Sequence, residues 1–131
     1  MYCKVMNTRL KGQKGEDIAC KFLENHGFLI IERNYQKKWG EIDIIAIKDK
    51  ITHFFEVKSV VGDYSKSNDV HRPEDNVHGL KVRNISRTIE TYFAEKRMSS
   101  ESEFNFHVIC VYMNEQTRRA RVKWIENVIL C

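Results

Sequence analysis

Asp43 is followed, after twelve residues, by the triplet Glu56-Val57-Lys58, inside GEIDIIAIKDKITHFFEVKS, residues 40–59, among the most apolar parts of the chain. Side chains alternate faces along a strand. Glu56 and Lys58 therefore point one way, Phe55 and Val57 the other, and Asp43 can lie opposite the first pair on a neighbouring strand. Two acids and a lysine then share one patch. Carboxylates among apolar strands cost about several kcal/mol unless they are paired or bind a cation, and a divalent metal supplies that compensation. Oxygen ligands without cysteine favour Mg²⁺ or Mn²⁺ over zinc. The same spacing also fits an ordinary Asp43–Lys58 salt bridge with Glu56 at a solvated strand end, and spacing alone leaves both open.

Further residues could serve such a patch. Glu16 lies in a preceding helix and can present another acid to a metal, or act as a favourable first-turn acid. Glu41 shares the strand face of Asp43 and can ligate an ion or sit exposed at the strand entry. Lys11, Lys14, Arg33, Lys37 and Lys38 cluster before the patch; Lys66, Arg72, Lys81, Arg83 and Arg87 follow it. Together with Ser59, next to the triplet, they could track phosphates, although most surface cations are merely solvated. Trp39 and Tyr64 could stack on bases, with core or rim packing the plainer role for Trp39. The five histidines show no metal spacing, and His107, in an apolar strand, is expected as a satisfied buried imidazole.

Elements that would position these residues are legible. Residues 12–25 carry Ile18, Ala19, Phe22 and Leu23 on one helical stripe, ended by Gly27. Gly12 and Gly15 read as a helix entry, since a phosphate loop would need a preceding strand and a GK[ST] ending. Strands are expected over 28–35, 41–47 and 51–58, the second buried on both faces, with links short enough for an antiparallel meander. Residues 61–74 are polar, hold the only proline and are expected as a mobile loop; residues 1–11 are expected as an arm. A helix over 77–96 and strands over 104–113 and 121–125 complete the order α-β-β-β-α-β-β. This order predicts an α/β or α+β domain with a mixed central β-sheet flanked by helices.

The 131 residues suit one domain, and 22 Lys and Arg against 18 Asp and Glu permit a polyanionic partner without demanding one. Without an apolar run near ~18 residues or a signal-peptide core, the expectation is a soluble cytoplasmic protein with no membrane partner. Cys3, Cys20, Cys110 and Cys131 form no CxxC pair and are expected as reduced thiols, Cys20 and Cys110 in the core.

GEIDIIA followed by FFEVKS resembles the PD-(D/E)XK nuclease superfamily, whose core hairpin bears an Asp on one strand and E-x-K on the next. More narrowly, GxxGEDIACKFLENHGFLIIERN, WGEIDIIA and FFEVKS are similar to the bacterial YraN family and, in this half, to archaeal Holliday-junction resolvases. The resemblance implies a restriction-endonuclease-like core and a Mg²⁺- or Mn²⁺-dependent endonuclease acting on DNA, including branched or distorted DNA such as Holliday junctions. It implies Asp43, Glu56 and the Val57 carbonyl as metal ligands, with Glu16 assisting and Lys58 near the attacking water. It further implies a homodimer, because two symmetric cuts need two sites. Where the family often has R-F-D in the fourth strand, this chain reads Asn105, Phe106, His107. The alternative is a nucleic-acid-binding module that keeps the fold and does not cut. From another class comes a protein-interaction domain in which the acids and Lys58 merely pair.

Overall fold

The computed structural model describes residues 8–62, 82–114 and 116–128, with side chains from Gly12 onward. Helix α1 spans Thr8–Asn25, strands β1, β2 and β3 span Leu29–Lys37, Gly40–Lys48 and Ile51–Val61, and helix α2 spans Val82–Glu95. Strands β4 and β5 span Phe104–Asn114 and Arg119–Ile125. The expected order α-β-β-β-α-β-β is therefore observed.

A single five-stranded sheet runs β1-β2-β3-β4-β5. The first three strands form the expected antiparallel meander, because Lys48 and Ile51 bracket a two-residue link whose Asp49 and Lys50 take positive φ. Helix α2 carries the chain back so that β4 lies parallel to β3, and β5 returns antiparallel. Two apolar layers result. Ala19, Cys20 and Leu23 of α1 pack on one face with Ile44, Phe55 and Ile109. On the other, Ile85, Ile89, Tyr92 and Phe93 of α2 pack with Ile42, Ile45, Phe54 and Val108. Such burial, at about 25 cal/mol per Å² of apolar surface, holds the helices to the sheet.

Several boundaries move. Helix α1 begins at Thr8, so residues 8–11, expected in the arm, are helical. Val61, expected in a loop, closes β3, paired with Met113. The rest of that loop, the first turn expected for α2, and Tyr64, Lys66, Arg72 and Lys81 lie outside the described residues. Cys20 and Cys110 are buried thiols, in no disulfide, as expected. Among the described residues no helix is long and apolar enough to cross a membrane.

Candidate functional site

One rung of the sheet breaks the alternation that strands normally keep. Ile42 packs on the α2 side and Ile44 on the α1 side although they are two residues apart. Across from them, Tyr35 joins Ile42 on the α2 side, whereas Arg33, paired with Ile44, reaches Asp17 of α1 at 2.7 Å. Between lie Asn34 and Asp43. Asn34 has φ +53°, a left-handed conformation that asparagine tolerates better than most residues, and it turns both strands over at this point. The β2–β3 ladder closes at Ile44–Phe55, one step short of Asp43. Asp43 accepts the Val57 N–H at 2.7 Å through its side chain, in a place where a backbone rung would otherwise form.

The twist lets an acid from α1 join the two on the hairpin. A Cβ on Gly15 would stand 1.8 Å from Ser59 Oγ and 2.9 Å from Ser59 Cβ, so only glycine allows α1 this approach to β3. The next residue, Glu16, is carried to the strand ends. It stands in the third turn of α1, whose first turn holds no acid, so the first-turn role does not apply. Its Oε1 is buried without a hydrogen-bond partner. Arg33 lies 3.9 Å away, and the Asn34 side chain hydrogen-bonds the carboxylate.

Gly12, Glu16, Glu41, Asp43, Glu56, Val57 and Ser59 line a cavity of about 260 Å³. On the α2 side it continues into a cleft of about 540 Å³ bounded by Lys37, Lys38, Trp39, Glu56, Lys58 and Asn84. On the other it opens past Gln13, Arg33 and Asn34. Glu41, exposed and bonded to Gln36 at 3.3 Å, forms the rim common to all three. Trp39 is half-buried, with the Arg87 guanidinium 4.2 Å over its ring, which agrees with rim packing.

Electrostatically the acids oppose one another. Burial, then the Glu56 carboxylate, pushes Asp43 up to about 8, against the lowering effect of the Val57 N–H. Glu56 is raised by burial, partly offset by Lys58. Glu16 is raised by burial and then by Asp43. Neighbouring carboxylates in a dry site cannot all ionise without a cation, and the pair titrates as a unit. Lys58 stands 3.7 Å from Glu56 Oε1. The alternative salt bridge would instead have joined Lys58 to Asp43 and left Glu56 solvated, whereas the Glu56 side chain is only 19% exposed.

The remaining expected residues are scattered. Lys14, Lys38 and Arg83 are exposed. Lys37 is bound to Glu95 at 2.6 Å, and Tyr35 donates a hydrogen bond to the same carboxylate. Arg33 is committed to Asp17. Ser59 lines the central cavity. Lys11 lies within α1, but its side chain is outside the described residues, as is all of Lys81. Asn34 was absent from the sequence-predicted site; a lone asparagine in a β-branched strand was its only signal. Among the described residues no three His, Cys, Asp or Glu side chains are already gathered closely enough to hold a metal.

A family model described as "Uncharacterised protein family UPF0102" matches residues 15–111, a span that contains Glu16, Glu41, Asp43, Glu56 and Lys58. A UPF0102 protein of Campylobacter lari is 44% identical, across 94% of this chain and 96% of its own length. One from Campylobacter fetus subsp. fetus is 39% identical over 91% and 93%. Another, from Helicobacter hepaticus, is 34% identical over 96% and 100%.

Proposed function

The chain belongs to the uncharacterised protein family UPF0102, and from its acid-lined cleft we propose a metal-dependent endonuclease of the PD-(D/E)XK type that hydrolyses DNA phosphodiesters, branched or distorted DNA included. The observation that carries this is the unneutralised acid cluster. Glu16 has a buried carboxylate oxygen with no hydrogen-bond partner, Asp43 is driven toward protonation by burial and the Glu56 charge, and Glu56 is raised by burial.

An all-oxygen donor set of this kind fits Mg²⁺ or Mn²⁺. Asp43, Glu56 and the Val57 carbonyl would hold the ion, with Glu16 and Glu41 beside them. When bound, such an ion polarises a phosphate and makes a coordinated water more acidic. The chain's own groups do the rest. Lys58, on the same strand face as Glu56, orients the attacking water and offsets charge growing on the phosphoryl oxygens. The Val57 N–H fixes one oxygen of Asp43, which keeps the carboxylate aimed across the hairpin. Lys38 and Lys14 would meet flanking phosphates, along with Ser59 and Arg83; Arg33 and Lys37 would have to leave their present partners to join them.

A second reading, a DNA-binding module that does not cut, is favoured by the absence, among the described residues, of a gathered three-residue metal set. The two part on one assay. Labelled four-way junction, flap, single-stranded and linear duplex DNA are incubated with Mg²⁺ or Mn²⁺ and either wild type or Asp43→Asn. Cleavage by wild type is expected, with a loss of about 10³-fold or more in the variant. Binding without cleavage by either protein would establish the non-catalytic module instead.

A further inference from the structure

An acid-free run of positive charge lies on the edge of the sheet. Residues 116–125 contain Arg118, Arg119, Arg121 and Lys123 and no acid; without these four, the chain holds eighteen cations and eighteen anions. All four are exposed and sit on, or next to, the edge strand β5.

Strand register ties this charge to the cleft. Lys58 pairs with Cys110, and Cys110 pairs with Lys123; Val60 pairs with Tyr112, and Tyr112 with Arg121. Residues paired across a sheet share a face. Lys123, Arg121 and Arg119 therefore stand on the same face as Glu56 and Lys58, with Lys123 two strands, roughly 9–10 Å, from Lys58. Arg121 and Arg119 follow at steps of about 6.8 Å, past the cleft toward the carboxyl end of β3. The Arg121 guanidinium lies 4.8 Å over the buried Tyr112 ring, which limits its motion and leaves less freedom to lose when it meets an anion.

We infer that Arg119, Arg121 and Lys123 form an anchoring track for the sugar-phosphate backbone of a DNA duplex leading away from the cleft. A planar, widely spaced row of cations on one sheet face suits a regular polyanion better than a single phosphate group. DNA is named as that polyanion because the cleft is read as a DNA-cleaving site.

The test is fluorescence anisotropy with a labelled 25-bp duplex (about 85 Å long) in EDTA, titrated over a range of salt. Arg119→Gln/Arg121→Gln/Lys123→Gln should weaken binding at least tenfold at low salt and reduce the slope of log affinity against log salt by about 2–3. Arg119→Gln alone, an exposed single change, should reduce it by about 1. Lys21→Gln/Lys50→Gln, exposed positions outside the track, should leave it unchanged. Equal affinity and slope in wild type and track variants, or no DNA binding by wild type, overturns the track. Loss of the slope in a protein that never cuts DNA supports the track and removes only the nuclease assignment.

Discussion

Strand β3 carries two polar clusters, one near its start and one from its middle onward, and they have opposite characters. Near its start, His53 and His107 stack at 5.1 Å between ring centroids, in contact with Phe55, Phe28 and Trp124. The Asn127 N–H donates to His107 Nδ1 at 3.0 Å, which places the proton of a neutral His107 on Nε2, from where it is donated to His53 Nδ1 at 2.9 Å. Burial, then the neighbouring imidazole, lowers His107 to about 4, so both rings stay neutral and every bond in the chain is made. Further along, burial raises Asp43, Glu56 and Glu16, the Glu56 charge adds to Asp43 and the Asp43 charge to Glu16, and a Glu16 oxygen 3.9 Å from Arg33 has no hydrogen-bond partner. Trp124 Nε1, beside the histidines, also lacks a partner but is neutral; it is the carboxylates, crowded and raised by burial, that call for a cation.

The sharpest way to break that contrast is at the satisfied end. His107→Ala would strand both His53 Nδ1 and the Asn127 N–H and leave a cavity under Trp124. We expect a loss of about 2–4 kcal/mol in chemical denaturation. Unchanged stability would mean that this cluster, too, is open.

Gly15→Ala comes next. The added methyl meets Ser59, so α1 must retreat from β3, at a cost of about 1–3 kcal/mol by denaturant titration. The DNA cleavage proposed above should fall per folded molecule with it, because Glu16 moves away; an alanine variant of full stability would show that the helix need not approach so closely.

Smallest is the pH dependence that isolates the open end. A carboxyl raised above its unfolded value binds its proton more tightly in the fold, so Asp43 stabilises below about pH 4 and loses that contribution as pH rises toward about 8. His107 acts oppositely: its depressed value costs stability as pH falls from about 6.5 to about 4. Between pH 6.5 and 8.5 the acids contribute most, with the raised Cys20 thiol adding in the same sense at the top of the range, and the metal-free protein should melt about 3–6 °C lower at the higher pH. Asp43→Asn or added Mg²⁺ should flatten that difference. A slope that persists unchanged in the variant would detach it from Asp43.

Much of this was readable from residue order. Short links forced the meander, and the long helical segment between the third and fourth strands implied a mixed sheet; that β4 lies parallel against β3 came only with the structure. Convergence of Asp43 with Glu56 followed from spacing. The turnover at Asn34 did not, because alternation is the assumption by which faces are assigned, and a single left-handed residue cancels it. The helix contact at Gly15 was likewise hidden, since tolerance for a missing side chain depends on what approaches from 44 residues away. His53 gave no sign of its partner because β3 and β4 pair only after the intervening helix has folded back.

That parallel pairing has a kinetic consequence. Asp43 and Glu56 belong to a hairpin closed by a two-residue link, among the quickest structures a chain can form, whereas Thr52 must wait for Phe104, about fifty residues later. The acids thus meet early, in a hairpin with little apolar cover, while the β4 strand that backs Glu56 arrives late. An ion that needs the complete cluster would tie together parts that come together at the end of folding, and would act mainly by slowing their separation.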